Sequence, residues 1–334
     1  MRGKSLIRSA RQGVGAALAG VTMMSAGAAA AQQSVPEVAV EAPGPQGALA
    51  GTMIESTPGA PVVLIIPGSG PTDRNGDNRY GINGGVYRQL AVGLAARGIA
   101  TVRVDKRGMF GSRAAVPDAN NVTIAAYTDD VRSWIAVIRK RTNAHCVWIL
   151  GHSEGGLVAL AAAQRTPDIC GLLLVAAMGR PLADVMRAQL KANPANAPLL
   201  PQALAAIDSL EAGKAFDASG LNPALAPLFS SAVQPYLIDT FRYDPAKLAA
   251  AYKGPMLVLQ GNRDMQVTLE DASILKNAHL SAKLVIVPGV NHVLKPVAGE
   301  TRAANFATYG DASLAIDPAV VDAVATTVLA AAQK

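Results

Sequence analysis

With 334 residues, half of them hydrophobic and 16% charged, the chain is long enough to bury a large core and too apolar for intrinsic disorder. Its formal charge of +6 is no nucleic-acid signature: no Lys/Arg cluster sits on a predicted helix face, and Arg2, Lys4, Arg8 and Arg11 account for much of the excess.

Those four basic residues precede an uncharged stretch from Gly13 to Met24 and a run of small residues ending at Ala31. This is the three-part pattern of a secretory signal, with cleavage expected after Ala31. The apolar stretch is short and Gly/Ala-rich for a spanning helix, which needs about 20 apolar residues. The mature chain, 32–334, is therefore expected to be secreted or periplasmic with no stable membrane anchor. Removal of residues 1–31 takes the charge from +6 to +2.

Residues after Gln32 read as a short Pro/Gly-rich lead into a strand, GALAGTMIES. PVVLIIPG is a continuous apolar run bounded by turns, as a fully buried strand requires. GGVYRQLAVGLAARG has helical spacing and stops at Gly98. IATVRVDKRG is the next strand, and NVTIAAYTDDVRSWIAVIRKR is a helix with a basic last turn that suits its dipole. Then come the strand CVWILGHS, the helix EGGLVALAAAQR and the strand GLLLVAAMG. This alternation predicts an α/β fold with a mostly parallel central sheet and helices on both faces. From 180 to 253 it lapses into Ala/Leu/Pro-rich helical pieces, PLADVMRAQLKA and LLPQALAAIDSLEAG. It resumes with the strand GPMLVLQGNRD, a helix near EDASILKNAH, the strand AKLVIVPGVNH and a final helix, DPAVVDAVATTVLAAA. One domain, 32–334, with a helical insertion at 180–253 accounts for this order, since either half alone leaves an unfinished sheet.

The strand-to-helix junction GHSEGG fits G-x-S-x-G through Gly151, Ser153 and Gly155. A nucleophilic serine needs this sharp turn to stand its hydroxyl clear of the sheet, and a Cβ at 151 or 155 would crowd it. A serine hydroxyl also needs a base. Of four histidines, His145 lies at the wrong end of its strand, His152 points away from its neighbour Ser153, and His279 ends a helix. His292, beyond the carboxyl end of AKLVIVPG, is the candidate base. Asp264, just past LVLQG, is the candidate orienter; Glu270 and Asp271 open the next helix and serve its N-terminus. The order Ser153, Asp264, His292 is that of an α/β-hydrolase triad. Attack on an acyl carbon puts negative charge on oxygen, which preorganised N–H groups must meet. The amide of Glu154, after the nucleophile, supplies one. The bare loop Pro67-Gly68-Ser69-Gly70 supplies the other, assigned to Ser69.

The segments PGSGPTDRNGD, VDKRGMFGS and GHSEGG resemble the EstD-like bacterial esterases and the serine aminopeptidase S33-type hydrolases, and the resemblance to the α/β-hydrolase fold extends over nearly all of the mature chain. It implies a serine carboxylesterase acting on small or medium acyl esters, without metal or organic cofactor, in which 180–253 forms a cap over the site. Where that pattern often has His-Gly this chain has Pro67-Gly68, a change that leaves a backbone donor untouched. Asp73, Arg74, Asp105 and Arg107 either bind an anionic substrate or brace two loops by ion pairs; bracing is the expectation. Two other readings use the same residues. A peptidase or amidase would need acidic residues such as Asp208, Glu211 or Asp239 to reach from the cap, and a non-catalytic binding protein would have no use for a complete triad.

Cys146 and Cys170 are the only cysteines, with no Cys/His metal spacing around them. Each stands at the start of an apolar strand. In this fold those strands are adjacent and parallel, so the cysteines should lie about 5 Å apart at the amino edge of the sheet and form a disulfide in an oxidising compartment.

Overall fold

The computed structural model describes residues 35–332. The expected leader, 1–31, lies outside the described residues. At the centre is an eight-stranded sheet in the order β1-β2-β4-β3-β5-β6-β7-β8. Its strands are β1 (Val38–Pro43), β2 (Ala48–Ile54), β3 (Val62–Ile66), β4 (Ala100–Val104), β5 (Val147–His152), β6 (Ile169–Val175), β7 (Met256–Gly261) and β8 (Lys283–Val287). β2 pairs antiparallel with β1 and β4, and every pairing from β4 through β8 is parallel. β1 corrects the expectation of an irregular lead. Its alternating pattern buries Val40 and Ala42 against the core and turns Glu41 and Pro43 to solvent, which suits an edge strand.

The apolar runs of the inner strands are explained by burial on two faces. Val62, Leu64 and Ile66 of β3 point into a core shared with helices α2 (Ile124–Thr142) and α3 (Glu154–Ala163). Val63 and Ile65 point into a second core shared with α1 (Val86–Ala95) and the C-terminal helix (Pro318–Ala332). Helix α2 begins at Thr123, whose side chain accepts from Ala126 N–H, and ends at Asn143 in the left-handed region.

Between β6 and β7 the chain leaves the sheet for α4 (Leu182–Lys191), α5 (Leu200–Glu211), α6 (Ala226–Phe229), α7 (Gln234–Thr240) and α8 (Pro245–Ala251). This helical insertion has its own small core around Ile207, Leu210, Phe229 and Phe241. Polar contacts tie it to the sheet domain: Asp239 Oδ2 accepts from Ile124 N–H at the start of α2, 2.8 Å, and Gln189 Nε2 donates to Gln266 O, 2.9 Å. The chain then completes the sheet with β7, α9 (Leu269–Ala278) and β8, and adds α10 (Arg302–Ala307) and α11 (Pro318–Ala332). None of the described helices is long and apolar enough to cross a membrane.

Cys146 and Cys170 form a disulfide with a Cα–Cα separation of 5.1 Å. The β5–β6 register runs Val147↔Ile169 and then Trp148↔Gly171, so Cys170 is an extra residue in β6. The irregularity frees it from the ladder beside Cys146. The next residue must be glycine, because a Cβ at Gly171 would lie 2.2 Å from the Trp148 ring.

Candidate active site

Because β3, β5, β7 and β8 are parallel, the residues that follow them gather along one edge of the sheet. Ser153 sits between β5 and α3 with φ 54° and ψ −121°, a backbone conformation that costs a non-glycine residue on the order of 1–3 kcal/mol. The turn is held because Ser153 N–H donates to Val175 O at 3.0 Å and Gly156 N–H donates to Ser153 O at 2.9 Å. It leaves no room for side chains on either side. A Cβ at Gly151 would fall 2.1 Å from the Gly155 carbonyl oxygen, and one at Gly155 would fall 2.4 Å from Ile66 O at the end of β3.

His292 and Asp264 meet in the loops after β8 and β7. His292 Nδ1 is 2.8 Å from Asp264 Oδ2. The loops are stitched together by Arg263 N–H on Val290 O, 2.9 Å, and Gly289 N–H on Asn262 Oδ1, 2.7 Å. The Asp264 side chain is fully enclosed and accepts three further bonds: from Gln266 and Val267 N–H on Oδ1, at 2.8 and 2.9 Å, and from Gln260 Nε2 on Oδ2, at 2.9 Å. Burial alone would raise its pKa, but the His292 ring and the Gln266 and Val267 amides outweigh it and hold the carboxyl below its ordinary value. It stays an anion able to fix the His292 proton on Nδ1, leaving Nε2 to accept.

No hydrogen bond joins Ser153 to His292 in this structure. The connection runs through His152. Its Nε2 is 2.8 Å from the His292 carbonyl oxygen, its Nδ1 is 2.9 Å from Tyr87 Oη, and its ring centroid is 4.8 Å from that of His292. Tyr87 Oη also accepts from Gly68 N–H at 3.0 Å. One consistent assignment of protons follows: Gly68 N–H to Tyr87 Oη, Tyr87 O–H to His152 Nδ1, and His152 Nε2–H to His292 O. Burial, then the neighbouring His292, push the His152 pKa down to about 3, so this ring stays neutral. His152 does point away from Ser153, yet it lies under His292. His145 is exposed at the amino end of β5, and His279 Nε2 is occupied by Gly254 O, 3.1 Å.

The Gly68 Cα lies against the elbow: a Cβ there would be 3.2 Å from Ser153 Cβ. Ser69 follows it and is exposed, while Glu154 is buried at the first position of α3. Neither the Ser69 nor the Glu154 N–H has a protein acceptor among the described residues, so both can donate to an oxyanion at Ser153.

The charged residues near this edge brace loops. Asp105 accepts from Arg74 N–H at 2.8 Å, Arg74 Nη2 at 2.7 Å and Gly111 N–H at 2.9 Å. Arg107 pairs with Asp130 through two bonds of 2.7 and 2.6 Å. Asp73 Oδ1 closes its own turn on Asn75 and Asp77 N–H. Asp271 caps α9 through Thr268 and pairs with Arg180 at 2.7 Å. Tyr87, His152 and Lys106 belong to the site and are absent from the candidates that sequence supplies. For Lys106 a signal exists, since VDKRG ends a core strand on the site's edge; for Tyr87, inside an amphipathic helix, there is none.

Comparison with known proteins agrees with this architecture. Residues 78–229, which include Ser153 and stop short of Asp264, match the family model for serine aminopeptidase, S33. The esterase EstD of Thermotoga maritima is 28% identical over 271 residues, which are 79% of this chain and 61% of EstD; the match thus spans about three fifths of that relative. Among solved structures, Est1E from Butyrivibrio proteoclasticus superposes with a TM-score of 0.55 at 18% identity, covering 89% of this chain and 99% of Est1E. The α/β-hydrolase GrgF from Penicillium sp. sh18 gives 0.54 at 17% identity, covering 77% and 91%. The chain has the α/β-hydrolase fold and resembles the serine aminopeptidase S33-type hydrolases and the EstD-like esterases.

Proposed function

We propose that the protein is a serine carboxylesterase. His292 Nε2 takes the Ser153 proton as Oγ attacks the ester carbonyl carbon, and Asp264 stabilises the imidazolium that forms. The Ser69 and Glu154 amides receive the oxyanion. Collapse breaks the bond to the alcohol, which leaves with the proton from His292. Water activated by the same imidazole then cleaves the acyl-enzyme, releases the acid and restores Ser153. The observation that carries this reading is the convergence of a strained serine elbow, an Asp-held imidazole and two uncommitted amides on one edge of the sheet. The similarity to EstD, an esterase, points the same way.

An ester is favoured over a peptide because the acidic residues available for a peptide amino terminus are engaged elsewhere. Asp208 and Glu211 both hold Arg187, at 2.6 and 2.5 Å, and Asp239 holds the start of α2. The insertion at 180–253 serves as a cap over an acyl pocket, and residues 1–31 direct export and are removed in the course of it. Fluorophosphonate labelling and p-nitrophenyl ester turnover test the activity, with aminoacyl arylamides alongside. Ser153→Ala should abolish labelling and ester turnover with unchanged circular dichroism; a folded variant that still hydrolyses esters overturns the assignment. The intact mass of protein recovered from the periplasm should correspond to a chain beginning at Gln32, and an uncleaved mass there would refute cleavage after Ala31, while retention of the protein in the cytoplasm would refute export through this leader.

A further inference from the structure

Lys106, at the carboxyl end of β4, is buried beneath the nucleophile loop. Its ammonium has three partners. Nζ donates to Gly68 O at 2.7 Å, approaches Glu154 Oε1 at 3.5 Å, and stands 5.7 Å from the centre of the Tyr127 ring. The carbonyl is the closest of the three. A simple buried ion pair would put the carboxylate there, at the short distance of a charge-assisted bond.

The peptide unit that carries the Gly68 carbonyl also carries the Ser69 N–H, and the two point in opposite directions across a planar, trans unit. A cation fixed on the carbonyl therefore sets the direction of the amide. It also draws electron density toward oxygen and makes the N–H a stronger donor. The preceding peptide unit is fixed as well, by Gly68 N–H on Tyr87 Oη at 3.0 Å. Gly68 needs this double restraint because glycine offers the backbone its widest freedom.

We propose that Lys106 is a positioning residue for the oxyanion site: its ammonium, by holding the Gly68 carbonyl, aims and polarises the Ser69 N–H toward the oxyanion formed at Ser153. This rests on the esterase reading above. Lys106 Nζ makes no hydrogen bond to Ser153, Asp264 or His292, so its removal should affect the transition state through the Gly68–Ser69 peptide and spare ground-state binding.

The test compares wild type with Lys106→Met, Lys106→Arg and the double variant K106M/E154Q. The measured quantities are kcat per phosphonate-titrated site, KM on p-nitrophenyl butyrate, thermal melting, and inhibition by an alkyl trifluoromethyl ketone. That inhibitor adds Ser153 Oγ to its carbonyl carbon, and its oxygen becomes the oxyanion. Loss of a whole oxyanion donor costs about 100- to 1000-fold in kcat, so misdirecting one in K106M should cost about 10- to 100-fold, with KM within about twofold of wild type. Affinity for the ketone should fall by the same factor. K106R, which keeps a cation able to donate, should recover part of kcat. K106M/E154Q removes the carboxylate that K106M strands, so it should regain melting temperature without regaining kcat. It carries the test if K106M alone does not fold. Unchanged kcat per site in K106M, or a double variant that regains kcat along with its melting temperature, would show a structural ion pair and overturn the proposal. A wild type inert to both ester and ketone would instead overturn the esterase reading, and this proposal with it.

Discussion

Asp264→Asn is the most demanding perturbation of the proposed mechanism, because all four bonds to the carboxylate are donated to it. An asparagine has one acceptor oxygen. If that oxygen stays with the Gln266 and Val267 amides, the side-chain NH₂ faces His292 Nδ1 and Gln260. His292 must then accept at Nδ1 and carry its proton on Nε2, where it can no longer take one from Ser153. If the amide is flipped, its NH₂ confronts two backbone N–H groups instead. The first arrangement loses fewer bonds and is the one expected. The fold is thus retained and the tautomer is wrong. In serine hydrolases such a change costs roughly 10⁴ in kcat, about 5.4 kcal/mol of barrier. The assay is kcat on p-nitrophenyl butyrate at pH 7.5, normalised to sites titrated slowly by a fluorophosphonate, with near-ultraviolet circular dichroism as the control. A folded Asp264→Asn enzyme within tenfold of wild type would refute the claim that this carboxylate sets the tautomer.

Cys146→Ser with Cys170→Ser should destabilise the protein without altering ester turnover at 25 °C, because the bridge lies at the edge of the sheet opposite Ser153. With a separation of 24 residues the chain-entropy model gives about 3 kcal/mol. In a chain of this size that is a fall of roughly 5 °C in melting temperature, read by calorimetry; an unchanged melting temperature would contradict it. Arg180→Met should lower the melting temperature at neutral pH. Burial alone would raise the Asp271 pKa, but the bonds and charge of Arg180 outweigh it and hold the group below its ordinary value. The stability this contributes is complete above the unfolded pKa of about 3.9 and is lost as pH falls through the lower folded value. The gap between wild type and variant should therefore close as the pH is taken below about 4, and a gap constant from pH 7 to pH 3 would refute the linkage.

Much of the architecture is legible because the two-faced burial of β3 through β7 forces nearly unbroken apolar runs, and parallel strands put their loops on one edge. Asp264 and His292 can be paired because each follows an apolar strand, β7 or the half-exposed edge strand β8, by a few residues, and parallel strands put those loops on one edge. β1 escapes because VAVEAP is a short edge strand between prolines and buries only alternate residues. Helices α6 to α8 escape because each is seven residues or fewer, too short for a helical period to stand out. His152 shows a different limit. That it points away from Ser153 follows from its position, but where it points depends on a contact across 140 residues. Lys106 and Gly68 are likewise 38 residues apart.

The His152 bond has a mechanical consequence. His152 is covalently next to Ser153, and its ring grips the backbone of His292 itself, so the proposed nucleophile and base hang from one polar strut that owes nothing to the substrate. Displacement of the loop after β8 should therefore strain the elbow, and a loosened elbow should free the loop. The two halves of the proposed catalytic pair should loosen together on heating, so that loss of ester turnover and loss of phosphonate labelling follow a single temperature curve.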